Sequence, residues 1–179
     1  MIDNVILESI QTFCIDNVAP KIKLQVPYDD KISKYDLMHP NVFIGWLPPP
    51  NQLDEVPLQL ASGIKKALPA MVIGMDEGDD DGNDAGIAIR ITFIVYNPGL
   101  YPADGSGIVP DFKGYRDLLN LIFLCRQQLF KMYLVNGGKT AAQKPFRWGM
   151  YPDQPAGYWA GYLTFRATAA VLEYIPEDF

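Results

Sequence analysis

The sequence predicts an α+β protein in which a mainly antiparallel sheet packs against an N-terminal helix and one long helix at about residues 113–136. Three observations favour this class. Apolar residues recur at three- and four-residue steps in those two segments, as on one face of a helix. Apolar and polar residues alternate in other segments, as in half-buried strands. These strand-like segments come in neighbouring pairs, which favours an antiparallel sheet over a doubly wound parallel one.

The length and composition bound the organisation of the chain. A chain of 179 residues has the size of one domain, so residues 1–179 are predicted to form a single unit. With 49% hydrophobic and 20% charged residues, the composition is typical of a packed globular protein. No internal repeat is visible in the sequence.

The first helix is predicted over residues 2–18. Pro20 ends it, because proline has no amide hydrogen and restricts the preceding residue to extended geometry. The predicted buried face carries Ile2, Val5, Ile6, Ser9, Ile10, Phe13, Cys14 and Val18.

Prolines interrupt most of the following fifty residues, and residues 40–57 are predicted to be an irregular, proline-rich segment. Residues 41–47 (NVFIGWL) can form one short strand. The triplet at 48–50 is typical of a rigid extended connector, with a ligand for a proline-binding module as the alternative. Residues 58–68 can form a short helix.

The clearest strands are residues 70–75 and 86–96, and an acidic loop at 76–85 separates them. The two strands are predicted to pair as a hairpin with a long connection. Residues 97–111 (NPGLYPADGSGIVPD) then form a glycine- and proline-rich loop of 15 residues, a length that is typical of functional or disordered segments. The predicted inner face of the second strand carries Ile87, Ile89, Ile91, Phe93 and Val95.

Asp111 is predicted to cap the long helix, because its side-chain oxygen can accept hydrogen bonds from the first helical amides. The predicted apolar stripe consists of Tyr115, Leu118, Leu119, Ile122, Leu129 and Met132. It is widened by Leu121, Phe123, Leu124 and Cys125. A stripe of this width predicts a helix that is either central to the core or partly buried by another subunit. Asn136 and the two following glycines are predicted to end it.

Two further strands are predicted at residues 146–151 and 158–174. A strand of the second length would extend about 50 Å at roughly 3.3 Å per residue, so a bulge, a bend or a projecting tail is expected. Its predicted inner face carries Trp159, Leu163, Phe165, Ala167, Ala169 and Val171.

The formal net charge of −6 comes from one segment. Six acidic residues lie within the acidic loop, and the other 15 balance the 15 lysines and arginines. This balance argues against a protein whose main task is to neutralise nucleic-acid phosphates. The acidic residues are Asp76, Glu77, Asp79, Asp80, Asp81 and Asp84.

Three interpretations of the acidic loop stay open. It can be a solvated loop whose charges repel one another, a weak and irregular cation site, or a contact with a basic partner. An EF-hand that starts at Glu77 fails, because position twelve falls on Ala88 instead of the bidentate glutamate.

The sequence offers no catalytic signature. His39 is the one histidine and has no neighbouring serine or cysteine motif. Neither GxSxG nor a Walker-type loop is present, so no enzyme activity, cofactor or metal ligand is predicted. Cys14 and Cys125 have no metal-binding spacing and are expected to be buried, reduced thiols. The N-terminus lacks a secretory signal and no apolar run reaches about 18 residues, so cytoplasmic synthesis without membrane insertion is expected.

The order of segments resembles the tail terminator (tail completion) proteins of long-tailed bacteriophages over residues 65–174. The resemblance rests on the run PAMVIGMDEGDDDGNDAG, then IAIRITFIVYNPG, GYRDLLNLIFLCRQQLF and PFRWGMYPDQPAGYWAGYLTFRATAAV. Its most specific part is the start of the long helix at Tyr115–Leu118 after a glycine-containing loop. The late strand pair around Tyr151 and Trp159 is the next most specific part.

This resemblance implies a structural protein of virion assembly at the junction of tail and neck. The subunits would form a hexameric ring at the head-proximal end of the tail tube, stop tube polymerisation and join the tail to the head connector. The implied partners are other copies of the chain, the tail tube protein and a head completion protein, and DNA would pass through without sequence-specific binding. Another head–tail connector component and a small cytosolic enzyme or ligand-binding protein stay open as alternatives. The candidate partner or oligomer contacts are Asp76, Glu77, Asp79, Asp80, Asp81, Asp84, Tyr101 and Trp159.

Overall fold

The fold was analysed on a computed structural model that describes residues 2–27, 36–45, 67–80, 85–99, 111–155 and 157–169. In this part of the chain, two helices accompany a mainly antiparallel six-stranded sheet and a small two-stranded sheet, which confirms the predicted α+β class. The helices are α1 (Ile2–Asn17) and α2 (Lys113–Lys131). The strands are β1 (Leu24–Gln25), β2 (Leu37–Met38), β3 (Asn41–Ile44), β4 (Ala70–Asp80), β5 (Ala85–Tyr96), β6 (Leu134–Val135), β7 (Thr140–Met150) and β8 (Tyr158–Ala169).

The large sheet has the order β3-β4-β5-β8-β7-β6. All neighbours pair antiparallel except β3 and β4, which run parallel. β5 pairs with β8 along its length, from Gly86 opposite Thr168 to Tyr96 opposite Tyr158. The long strands β4, β5, β8 and β7 therefore form the body of the sheet, and the short strands β3 and β6 lie at its two edges.

The core lies on one face of the sheet, here named the inner face. Alternation along β5 places Ile89, Ile91 and Phe93 there with no solvent exposure, as the period-two pattern predicted. Both helices pack on this face, because their buried side chains share one cluster with those of β5. Gly161 of β8 lets α2 approach closely, since a Cβ atom there would lie 3.1 Å from Ile122 Cδ1.

The long helix ends earlier than its predicted end near residue 136. Helix α2 stops at Lys131, and the chain continues as the short strand β6, which pairs with β7. Asn136 and Gly137 adopt positive φ angles of 51° and 66° in the turn that joins β6 to β7. Their left-handed geometry serves a strand connection instead of a helix end, and local sequence does not distinguish the two uses.

The acidic loop predicted at 76–85 is wrong for most of its length. β4 continues to Asp80 and β5 begins at Ala85, so Asp76–Asp80 belong to a strand. A register shift between Met75 and Glu77 leaves Asp76 as an extra residue in β4. The backbone of this stretch pairs with β5 as far as Asp80 opposite Ala85, and arginines of β5 and β8 bind two of its carboxylates.

Two of the remaining strand predictions are confirmed, and a third strand begins earlier than predicted. β3 confirms a short strand at 41–44 inside the segment predicted to be irregular, and β7 begins at Thr140, six residues before its predicted start. β8 confirms the strand that starts at Tyr158. The polyproline triplet, residues 58–66 of the short helix predicted at 58–68, the loop interior at 100–110 and the chain after 169 lie outside the described residues.

A pair of isoleucines on opposite faces of β5 tests this assignment of the core. We expect Ile91→Ala to lower the free energy of unfolding by about 2–5 kcal/mol, because it leaves a cavity in a fully buried site. Ile94→Ala serves as the matched control on the half-exposed outer face and should cost clearly less. Denaturant unfolding of both variants gives the two values, and equal losses would contradict the assignment.

Candidate functional site

The acidic residues form an exposed surface on the second half of β4. Asp76, Glu77, Asp79 and Asp80 all lie on this strand and are exposed, whereas Asp81 and Asp84 lie outside the described residues. The four described residues lie together, as the sequence predicted. The structure places these four residues in a strand of the sheet and not in a loop.

Arg90 of β5 binds Asp76 through both carboxylate oxygens. Its Nε atom donates to Oδ1 at 2.8 Å and to Oδ2 at 3.1 Å, and its Nη2 atom donates to Oδ2 at 2.7 Å. The hydrogen bond to Asp76 raises the pKa of Arg90 further above its already high value. The guanidinium also lies 5.1 Å from the centre of the Tyr162 ring. Two neighbouring strands thus hold this arginine on the outer face of the sheet.

Arg166 of β8 forms the second ion pair, with Asp79. Its Nη2 atom donates to Asp79 Oδ2 at 2.8 Å, and its Nη1 atom donates to Gln143 of β7 at 3.2 Å. The guanidinium crosses over Gly86 of β5, where a Cβ atom would lie 2.7 Å from Arg166 Cζ. Glycine at position 86 therefore lets Arg166 reach across the intervening strand to the acidic surface.

The rest of the outer face is polar and aromatic. The Thr92 and Tyr151 hydroxyls are 3.0 Å apart, and the Tyr151 ring lies 5.4 Å from that of Tyr162. The core cluster contains the buried side chains of both helices together with inner-face residues, so neither helix covers this outer face. Within the described residues, the outer face is an open sheet surface whose charges are mostly paired.

A second exposed surface lies on one side of helix α2 and is named the apolar flank. Its members recur at helical spacing, and all of their side chains are exposed to solvent. They are Phe112, Tyr115, Leu119, Phe123 and Phe130. Phe123 has 58% and Phe130 has 50% of its surface in contact with solvent. The buried stripe of the same helix consists of Leu118, Leu121, Ile122, Cys125 and Leu129. The predicted wide apolar stripe is therefore divided into a buried side and an exposed side.

Aromatic contacts hold the apolar flank against β7. The Arg126 guanidinium lies 3.2 Å from the centre of the Trp148 ring, which is itself 47% exposed. Phe130 packs edge-on against Phe146 at 5.1 Å, and the Lys144 ammonium lies 4.6 Å from the Phe130 ring. The flank of α2 and the inner face of β7 therefore form one continuous, partly exposed aromatic surface.

The two aromatic residues predicted as contacts have different outcomes. Trp159 is half-buried and packs against Tyr115 at a ring distance of 5.9 Å. A Cβ atom on Gly114 would lie 2.3 Å from the Trp159 ring, so the first turn of α2 rests directly on this tryptophan. Trp159 thus positions the helix within the chain. Tyr101 lies outside the described residues.

The single histidine and the two cysteines each have a partner within the chain. His39 donates from Nδ1 to the carbonyl oxygens of Ala19 and Ile22, which ties the second short strand to the end of α1. Cys14 and Cys125 are free and buried, as predicted. Contact with the Cys14 thiol, together with burial, raises the pKa of Cys125 and keeps it protonated.

The described residues contain neither a metal-binding cluster nor a membrane-spanning helix. No three histidine, cysteine, aspartate or glutamate side chains lie close enough together there to hold a metal ion. Nor does any helix in those parts of the chain have the length and apolarity needed to cross a membrane.

Comparison with known proteins gives no family assignment. No protein-family model matches the chain, and no curated protein is similar enough to count as a relative. The function proposed below therefore depends on the sequence resemblance and on the two exposed surfaces.

Sequence reasoning missed the partners of the acidic residues and the exposed position of the apolar flank. Arg90 and Arg166 occupy outward positions of their strands, so the alternation already placed them on one face. Their distance to Asp76 and Asp79 depends on strand order, which the sequence does not state. The predicted stripe combined buried residues such as Leu118 and Ile122 with exposed ones such as Tyr115 and Leu119, and it did not include Phe112 or Phe130.

The ion pair between Asp76 and Arg90 can be measured by a double-mutant cycle. Asp76→Asn and Arg90→Gln, made singly and together, should give a coupling energy of about 0.2–1 kcal/mol, because both side chains are about one-third exposed. The coupling should fall in about 1 M salt, where charges are screened within about 3 Å. A control cycle between Asp16 and Arg90, which make no ion pair, should give none, and coupling in both cycles would contradict a specific pair.

Proposed function

We propose that this protein is a bacteriophage tail terminator, a structural subunit and not an enzyme. Copies of the chain would assemble into a ring, most simply a hexamer, at the head-proximal end of the tail tube. The ring would stop polymerisation of the tube protein and present its other side to a head completion or connector protein. The protein would be made in the cytoplasm of the host bacterium and end in the virion at the tail–neck junction.

The apolar flank of α2 is the observation that carries this proposal. A monomeric soluble protein rarely exposes several aromatic side chains in one continuous surface unless another molecule covers it. Burial of an aromatic side chain contributes about 1.5–3 kcal/mol, so covering Phe123, Phe130 and Trp148 together would stabilise an assembly substantially. An assembly of identical subunits supplies such a cover for every copy.

The paired charges of the outer face support a role beside DNA without binding to it. Arg90, Arg147 and Arg166 lie on this face, and carboxylates of the same chain already bind Arg90 and Arg166. Neutralised arginines contribute little to the counterion release that drives nucleic-acid binding. A passage lined by such pairs would let DNA move through without holding it.

Electron microscopy of the purified protein mixed with tail tubes tests the proposal. We expect six-fold rings seated on one end of each tube and an arrest of further tube growth. A chain that binds a small ligand as a monomer and leaves tube ends bare would contradict it. A monomer in the absence of tubes would not, because the tube end can serve as the template for ring formation.

A charge placed on the apolar flank tests whether that surface assembles the ring. Phe123→Glu should weaken ring association about tenfold or more, because a carboxylate would be buried where an aromatic ring was. Leu37→Glu, at a comparably exposed site on β2, is the matched control and should leave association unchanged. Mass photometry or sedimentation across a concentration series measures both, and equal effects of the two changes would remove the flank from the interface.

A further inference from the structure

The two edge strands cover only part of the long strands beside them. β3 pairs with Ala70–Ile73 of β4, and β6 pairs with Thr140 and Ala141 of β7. Within the described residues, no strand pairs with β4 after Ile73 on the edge that faces away from β5. Nor does any described strand pair with β7 after Ala142 on the edge that faces away from β8. Among the described strands, each end of the sheet therefore has a stretch with no strand partner on one side, here called an uncovered stretch.

These two uncovered stretches lie at the same height in the sheet. The register across β5 and β8 places Gly74 of β4 level with Arg147 of β7. It places Gly78 of β4 level with Ala142 of β7 in the same way. A neighbouring sheet set beside this one without vertical displacement would therefore bring the two stretches opposite each other.

The two stretches carry opposite charge. The β4 stretch contains Asp76, Glu77 and Asp79 and no basic residue, whereas the β7 stretch contains Lys144 and Arg147 and no acidic residue. Arg90 and Arg166 already neutralise two of the carboxylates. Glu77 makes no ion pair with another described residue, and it shares the outer face with Arg147. Glu77 and Arg147 are thus matched in charge and in face. Glu77 is level with Gln143, and Arg147 lies two residues further along the register, an offset of about 7 Å that its long side chain can span.

The inner sides of the same two edges are both apolar. At the β4 end, Ile44 and Met75 pair with core positions and remain 38% and 44% exposed. At the β7 end, Trp148 and the apolar flank of α2 are exposed on the inner side. An edge-to-edge contact would therefore bury apolar side chains on the inner face and join opposite charges on the outer face.

Strand direction also permits this contact. Three antiparallel pairings connect β4 to β7 through the sheet: β4 with β5, β5 with β8, and β8 with β7. Because this number is odd, β4 and β7 run antiparallel to each other. A second copy related by rotation about an axis parallel to the strands keeps their direction, so its β4 would meet the first copy's β7 in antiparallel orientation. Contacts between two different surfaces of identical subunits generate rings when the rotation closes.

We propose that neighbouring copies meet head to tail, with the acidic edge of β4 in one copy against the basic edge of β7 in the next. Glu77 of one copy pairs with Arg147 of the other, and Met75 and Ile44 pack on Trp148 and the apolar flank. Side chains make most of this contact, because Pro145 has no amide hydrogen and both edges are bulged. The inference rests on the proposed ring and names its subunit interface.

Charge reversal at the two positions tests the interface. Glu77→Lys and Arg147→Glu should each weaken association at least tenfold, because like charges would face each other, and the double variant should regain most of the loss. Asp16→Lys and Lys23→Glu reverse exposed charges elsewhere and should have no effect. Thermal unfolding of every variant checks that the fold is retained. Single variants that associate like the controls, or a double variant weaker than both, would overturn the inference.

Cross-linking separates this interface from the ring itself. Glu77→Cys and Arg147→Cys subunits, mixed with a short bifunctional maleimide that spans the offset between the two positions, should form a cross-linked dimer, and neither variant alone should do so. Rings on tail tubes without this cross-link would overturn the interface and leave the proposed function standing. The cross-link in an assembly that does not cap tubes would support the interface and contradict the proposed function. A chain that forms no assembly, alone or on tubes, would overturn both.

Discussion

The strict alternation along β5 is the constraint on which the rest of the structure depends. Its inner side chains are fully buried, and both neighbours pair with it along nearly its whole length. A slip of one residue would move Ile91 to solvent and Arg90 into the core, which no partner could compensate. The register that buries the isoleucines therefore also fixes Arg90 and Arg166 on the outer face, within reach of Asp76 and Asp79.

Local patterns predicted the parts of the fold that local forces determine. The period-two segments of β5 and β8 and the first helix were recognised because each has a face that must be buried. The second half of β4 escaped recognition because its acidic composition is poor for an isolated strand. It is a strand because its backbone pairs with β5 from Glu77 to Asp80, with arginines of β5 and β8 beside two of its carboxylates, and such partners are set by the order of the strands.

Helix α2 shows the same limit at the level of a surface. Its apolar residues cover too much of the helix for one buried face, and this predicted either a central position or a subunit contact. The structure buries Leu118 and Leu121 and leaves Phe123 and Phe130 exposed. Which side is covered depends on the close approach to Gly161 and on the Arg126 contact with Trp148, and neither is visible in the helical periodicity.

An assembly that ends a polymer has to be closed, and the two unlike edges of the sheet bear on how closure can arise. A contact between two identical edges would join two copies edge to edge and stop at a dimer. A contact between two unlike edges can join any number of copies in one direction. Each sheet also has its own twist, which turns every added copy by a fixed angle. The short strands β3 and β6 occupy the remaining height of each edge, so the proposed join has one register. A fixed register and a fixed turn close the proposed ring only where the turns of all copies add up to one full rotation, and any other turn would give a helical filament.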